Sequence, residues 1–185
     1  MSRLRFSTAQ EVFETYPAAG KVIRTPPTRE HPLAFLRRLA QGPAPTEAIG
    51  FCAFVLPRRE AVWWATQALR AMQPPAAARD DGIAAAEAWV RDPRDETRRA
   101  ALALAEAGDT ALPGTWAAFA AGYSGGSMVT THNVPCPPDL TAKTARIAVM
   151  TALGRLSGRD HDAALRNCVE ACIRLADDDA SKTRP

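Results

Sequence analysis

Three groupings of side chains in this 185-residue chain have types and spacings that could do chemistry. Gly122-Tyr123-Ser124-Gly125-Gly126 matches G-x-S-x-G, the turn that raises a serine nucleophile toward a histidine, and Asp139 and His161 follow in the order serine, acid, histidine. That turn works by joining a strand to a helix. The residues before Ser124 read as alanine-rich helix, so the motif lacks its setting. His161-Asp162 is the kind of doublet with which helical metal-dependent phosphohydrolases hold a metal for hydroxide attack on phosphorus, and His132 could be the upstream ligand. The next acids, Asp177, Asp178 and Asp179, come too soon to complete that set. Asp160-His161-Asp162 reads better as the acidic start of a helix. Cys168 and Cys172 lie one helical turn apart, on the face shared by His161 and Leu165, and a zinc site would need Cys52 or Cys136 as well. No C-x-x-C pair supports it. Buried, reduced thiols are expected, with no metal and no cofactor.

The strongest departure from an ordinary helical sequence is an absence. Residues 110–138 contain no Asp, Glu, Lys or Arg. Within that run, residues 123–138 are too rich in Gly and Pro for a helix and longer than the usual connection of about 4–6 residues. Long loops carry function more often than helix faces do. Tyr123, Ser124, Gly125, Gly126, Ser127 and His132 are therefore the candidate binding residues. The glycines permit turns closed to other residues, and the hydroxyls of Ser124, Ser127, Thr130 and Thr131 offer uncharged hydrogen bonds to a partner. The competing reading is a crossover whose hydroxyls satisfy its own backbone.

The elements that must position this loop are helices. The chain has 38 alanines and 14 leucines against 9 valines and 5 isoleucines, a balance that favours helix and leaves little for a sheet. Ser7 and Gln10 suggest a capping box before a short helix ended by Pro17, and Leu33, Leu36 and Leu39 mark a second. Five breakers between residues 17 and 32 make that stretch a basic wrapping arm. Further helices are expected from Thr46 to Leu56, from Arg58 to Met72, from Asp80-Asp81 to Val90, from an Asp92-Pro93 cap to Ala107, from Trp116 to Gly122, from Thr141 to Leu156, and from Asp160 to Leu175. Trp64, Leu69, Trp89, Leu104 and Trp116 fall on apolar stripes and are the expected core. The resulting fold class is all-α: a compact bundle of about eight helices in antiparallel hairpins, with room for solenoid-like stacking. The tryptophan sites recur about every 26 residues, too short a period for known helical-hairpin repeats. Residues 1–44 form an N-terminal arm with two short helices, 45–176 the bundle, and 177–185 a disordered tail.

Composition bounds the setting. The net charge is +3, and Arg37-Arg38, Arg58-Arg59, Arg98-Arg99 and Arg155 with Arg159 sit among acids or apolar positions, as solvated helix edges do. They do not make a phosphate-tracking stripe, so no nucleic-acid partner is expected. Gln10, Glu11 and Glu14 interrupt the start where a secretory signal needs an apolar run, and the longest apolar run, residues 49–56, is too short to cross a bilayer. A cytoplasmic location follows as the expectation.

At Glu60-Ala61-Val62-Trp63-Trp64-Ala65, at Arg91-Asp92-Pro93-Arg94-Asp95-Glu96-Thr97-Arg98-Arg99, at Thr115-Trp116-Ala117 and at Tyr123-Ser124-Gly125-Gly126-Ser127, the chain resembles an uncharacterised bacterial family of small all-helical proteins. Some members of that family lie near type VI secretion genes. The likeness covers approximately residues 45 to 175, and it departs at His132-Asn133, where a more proline-rich stretch is expected. The resemblance carries no catalytic residue and implies at most a cytoplasmic accessory role. The expected function is a non-enzymatic helical adaptor that binds a protein partner, with a hydrolase using Ser124 or a His161-Asp162 metal as the alternative.

Overall fold

Small side chains decide which helix sits in the middle. A computed structural model describes residues 4–74 and 80–177. Among them nine α-helices run in order: α1 (Ala9–Thr15), α2 (Pro32–Gln41), α3 (Thr46–Val55), α4 (Arg58–Met72), α5 (Asp81–Arg91), α6 (Asp95–Glu106), α7 (Pro113–Gly122), α8 (Leu140–Leu153) and α9 (Gly158–Asp177). The fold is all-α, as expected. No strand forms among the described residues, where the one departure from helix and turn pairing is an isolated antiparallel bridge between Ser127 and Pro135. Asp177, expected to open the disordered tail, is instead the last residue of α9, and residues 178–185 lie outside the described residues.

Two helices are apolar all round. In α3 every residue from Ala48 to Val55 is buried, and in α7 only Trp116 and Phe119 reach the surface in part. α7 packs against α4, α5, α6 and α8 together, which its alanines allow because they keep the neighbouring axes close. The crossing with α5 is closer still. A Cβ on Gly82 would stand 2.4 Å from the carbonyl oxygen of Gly114, so the two backbones touch where no side chain fits. α4 joins the other half of the bundle: the buried Trp64 indole N–H donates to the Cys168 carbonyl of α9 at 2.8 Å. Val12, Ala19, Ile23, Phe35 and Leu36 of the N-terminal arm enter the same buried cluster as the bundle helices. Glu47, at the start of α3, accepts from the backbone N–H groups of Arg24 and Thr25 and from the Thr25 hydroxyl, which fastens the arm down.

Several helix ends differ from the sequence reading, each for a local reason. The first cap is Thr8, whose side chain accepts from Glu11 N–H, while the Glu11 carboxylate accepts from Ser7 N–H; the box is shifted one residue from Ser7 and Gln10. Asp92 ends α5 instead of starting α6, because its carbonyl accepts the Thr97 hydroxyl, and the α6 cap falls on Arg94. α8 stops at Leu153 before Gly154, and α9 begins at Gly158, so Asp160 lies in its first turn and does not cap it. Trp64, Leu69 and Trp89 are buried as expected. Leu104 and Trp116 are only half-buried. Leu102 takes the core position on α6, and the Trp116 indole sits at the edge, where its N–H donates to the Thr110 carbonyl.

Glycine packing at the centre gives a paired prediction. Gly82→Ala should lower the unfolding free energy by about 1–3 kcal/mol, because the new methyl meets backbone that cannot step aside. Gly20→Ala, where nothing lies within 4 Å of the new atom, should be neutral or slightly stabilising. Equal effects in urea unfolding would contradict the close crossing.

Candidate functional site

The charge-free run obtains its charges from other helices. α7 ends inside the bundle, and the last carbonyls of a helix have no partner within it. Here three consecutive carbonyls are met by side chains from three different helices. Arg98 of α6 donates from Nη1 to Gly122 O at 3.0 Å and to Ser127 O at 3.3 Å. Thr141 of α8 donates to Tyr123 O at 3.0 Å, and the Cys136 thiol does the same at 3.0 Å. Arg58 of α4 donates to Ser124 O at 3.0 Å and reaches Pro138 O at 3.5 Å. Two of these donors are cations set at the negative end of the helix dipole, which adds to the hydrogen bonds.

Arg98 corrects the sequence reading of its pair as a solvated edge. Its side chain is 7% exposed, whereas that of Arg99 next to it is 71% exposed. Asp95 fixes the Arg98 guanidinium, accepting from Nε and Nη2 at 2.8 Å, and also pairs with Arg99. Hydrogen bonding to Arg98, followed by the charges of both arginines, holds the Asp95 carboxyl below the usual aspartate value. The pair is therefore intact above that usual value and is lost only as the pH falls through the lowered one. Gly126 has a φ of 61°, and a Cβ there would stand 2.8 Å from Arg98 Nη2, so glycine is required both by the turn and by the guanidinium beside it.

Residues 126–136 fold back as a small antiparallel hairpin. Met128 N–H donates to Val134 O at 2.8 Å, and Cys136 N–H to Gly126 O at 3.0 Å. The Ser127 hydroxyl donates to His132 O at 2.7 Å and accepts from the N–H groups of Val134 and Val129. Glu106 of α6 accepts from both the backbone N–H and the hydroxyl of Thr130. Ser127 and Thr130 thus hold the loop and are not free for a partner. The Ser124 hydroxyl has no hydrogen-bond partner among the described residues, and the exposed His132 ring places Nδ1 2.9 Å from the Thr131 hydroxyl. A cavity of about 530 Å³ opens between α6 and the loop, with Arg98, Ala103, Gly126, Val129, His132 and Asn133 among its lining residues.

The same run carries an aromatic edge. Trp116, Phe119 and Tyr123 line up along the one partly open face of α7, Trp116 tilted against Phe119 and Phe119 stacked on Tyr123, with ring centroids 5.6 and 5.2 Å apart. Leu112, 45% exposed, precedes them. Only Tyr123 of this edge was legible as a site residue in the sequence.

The catalytic arrangements do not assemble. Ser124 follows a helix, Asp139 pairs with Lys143, and His161 pairs with Asp162 at 3.3 Å, so no acid–histidine–serine chain forms. Among the described residues no three His, Cys, Asp or Glu side chains converge to hold a metal ion. Cys52, Cys168 and Cys172 are buried free thiols. Burial, with a hydrogen bond to Cys172, pushes the Cys52 thiol well up, and burial pushes Cys168 up to about 12, so neither is a nucleophile near neutral pH.

A model of DUF6931, a family of unknown function, matches residues 35–176. The chain belongs to this family. The DUF6931 match takes in α7, the loop and every side chain that holds it, while the first helix and most of the arm precede it. No curated protein and no solved structure gives a match.

Removing the central cation measures the site's dependence on it. Arg98→Met should lower the unfolding free energy by about 2–4 kcal/mol, since Gly122 O and Ser127 O each lose a charged donor. Arg98→Lys should recover only part of that loss, because an ammonium lacks the planar fork. A loss below about 0.5 kcal/mol for the methionine variant in urea unfolding would contradict the assignment.

Proposed function

We propose that this protein is a non-enzymatic helical adaptor that binds a protein partner through the surface formed by residues 110–138. One observation carries the reading. A single charge-free run presents a stacked aromatic edge, an exposed leucine and a neutral loop tip, all on a backbone held from behind by three helices. Protein interfaces have this character at their centres, rich in aromatic residues and depleted of charge. Holding the loop before binding also reduces the ordering cost of association. Tyr123 belongs to both the edge and the loop, while Gly125, where a Cβ would meet nothing within 4 Å, and His132 stand toward the open side.

The link to a bacterial secretion system, type VI in particular, rests on the resemblance described above, as does a cytoplasmic setting. No helix among the described residues is long and apolar enough to cross a membrane. The proteins encoded beside this one are therefore the first partners to test.

Leu112→Ser with His132→Ala and Asn133→Ala should reduce capture of a neighbour-encoded partner at least about tenfold, roughly the effect of a single interface hot spot, and leave the melting temperature within about 2 °C. Ser127→Ala should instead lower stability, because it removes the loop's internal hydroxyl. Unchanged capture by the triple variant would refute the adaptor surface. Stoichiometric labelling of Ser124 by a fluorophosphonate would favour the hydrolase alternative.

A further inference from the structure

A second surface lies on α9, on the side turned away from its own core contacts. Leu165, Cys168, Val169, Cys172, Ile173 and Ala176 face inward. On the outer side, Asp160, Ala163, Asn167, Ala171 and Arg174 follow one another at spacings of three, four, four and three residues, which keeps them in one stripe. With Gln67, Ala68, Ala71 and Met72 of α4, and Leu156, they line a groove of about 590 Å³. Five of its twelve lining residues are alanine. The charges are at its two ends.

The order of these residues is symmetric about Asn167. Ala163 lies four residues before it and Ala171 four after; Asp160 lies seven before it and Arg174 seven after. Neither Asp160 nor Arg174 is paired within the described residues. If two such helices are laid antiparallel with Asn167 opposite Asn167, each Asp160 meets an Arg174, and each Ala163 meets an Ala171. An isologous interface requires this self-complementarity, in which residue i meets j and j meets i. The stripe spans about 21 Å, at 1.5 Å per residue, and alanine contacts allow the two axes to approach closely.

We propose that α9 forms the interface of a two-fold homodimer, lying antiparallel against α9 of a second copy at the mouth of the α4–α9 groove. The charge order selects this occupant. A partner helix of uniform charge would oppose one end of the groove, whereas a second copy presents the opposite sign at both. The α9 stripe shares no residue with the surface of residues 110–138, so its charge reversals leave the side chains of that surface in place.

Sedimentation equilibrium of the whole chain should show a species of twice the 19.9 kDa chain mass. Asp160→Arg places two arginines together at both ends and should raise the dissociation constant at least about tenfold, as Arg174→Asp should by placing two aspartates together. The double variant Asp160→Arg with Arg174→Asp restores opposite charges and should recover the wild-type constant. These positions are exposed, so the far-ultraviolet circular dichroism of all three variants should match that of the wild type. A wild-type chain that stays monomeric at roughly 100 μM, the range where a weak dimer still forms, would overturn the proposal and leave the groove to another partner. A dimer that survives either single reversal, or a double variant that fails to reassociate, would overturn it as well.

Discussion

An α-helix that ends inside a protein must find donors for its last carbonyls, and α7 ends inside this one. The backbone N–H groups of Tyr123 and Ser124 answer Phe119 O and Ala121 O, and the carbonyls that follow take side-chain donors from neighbouring helices. Gly122, Tyr123 and Ser124 are answered by Arg98, by Thr141 with Cys136, and by Arg58. Much of the surrounding architecture follows from this requirement. It places α4, α6 and α8 around one point, it fixes where the chain leaves the bundle, and it explains why a guanidinium is buried in a small domain. A buried cation is costly unless it is fully bonded, and Asp95 and two carbonyls complete this one.

The loop's shape depends on the same cation. Arg98 spans from Gly122 O to Ser127 O, so the turn between those residues is held at both ends. Beyond it, the Ser127 hydroxyl and the paired backbone of residues 126–136 close a hairpin, and Glu106 ties Thr130 to α6. The charges that organise the segment all belong to other helices. The segment itself brings no Asp, Glu, Lys or Arg and presents the aromatic edge, Leu112, His132 and Asn133. That separation of scaffold from surface is the basis for reading the segment as a recognition element, because a rigid neutral surface suits association better than solvation.

The all-α class, the helix count to within one and the loop boundaries were legible in the sequence because alanine, leucine and the prolines act locally. The loop's anchors were not. Arg98-Arg99 looks like any exposed basic pair, and only the packing of α6 on α7 turns the first inward and leaves the second in water. The absence of charge from residues 110–138 was the available signal: a long segment without charges, ending a buried helix, must borrow donors from elsewhere. Trp116 illustrates a different limit. Its periodicity matched a core position, yet an alanine-rich helix buried on all other sides leaves its large residues only the outer edge. The shifted cap at Thr8 shows a third, since the neighbouring Ser7 and Thr8 compete for a cap one residue apart.

Amide hydrogen exchange resolved along the loop tests the central claim most directly, namely that residues 123–138 are a structure held by side-chain hydrogen bonds from α4, α6 and α8. The N–H groups of Met128, Val134 and Cys136 donate to Val134 O, to the Ser127 hydroxyl and to Gly126 O. In the wild-type chain they should exchange slower than in an unstructured peptide by about two orders of magnitude, and Arg98→Lys should erase most of that protection while α3 stays protected. Exchange of these three amides within about threefold of the unstructured rate in the wild-type protein would contradict it.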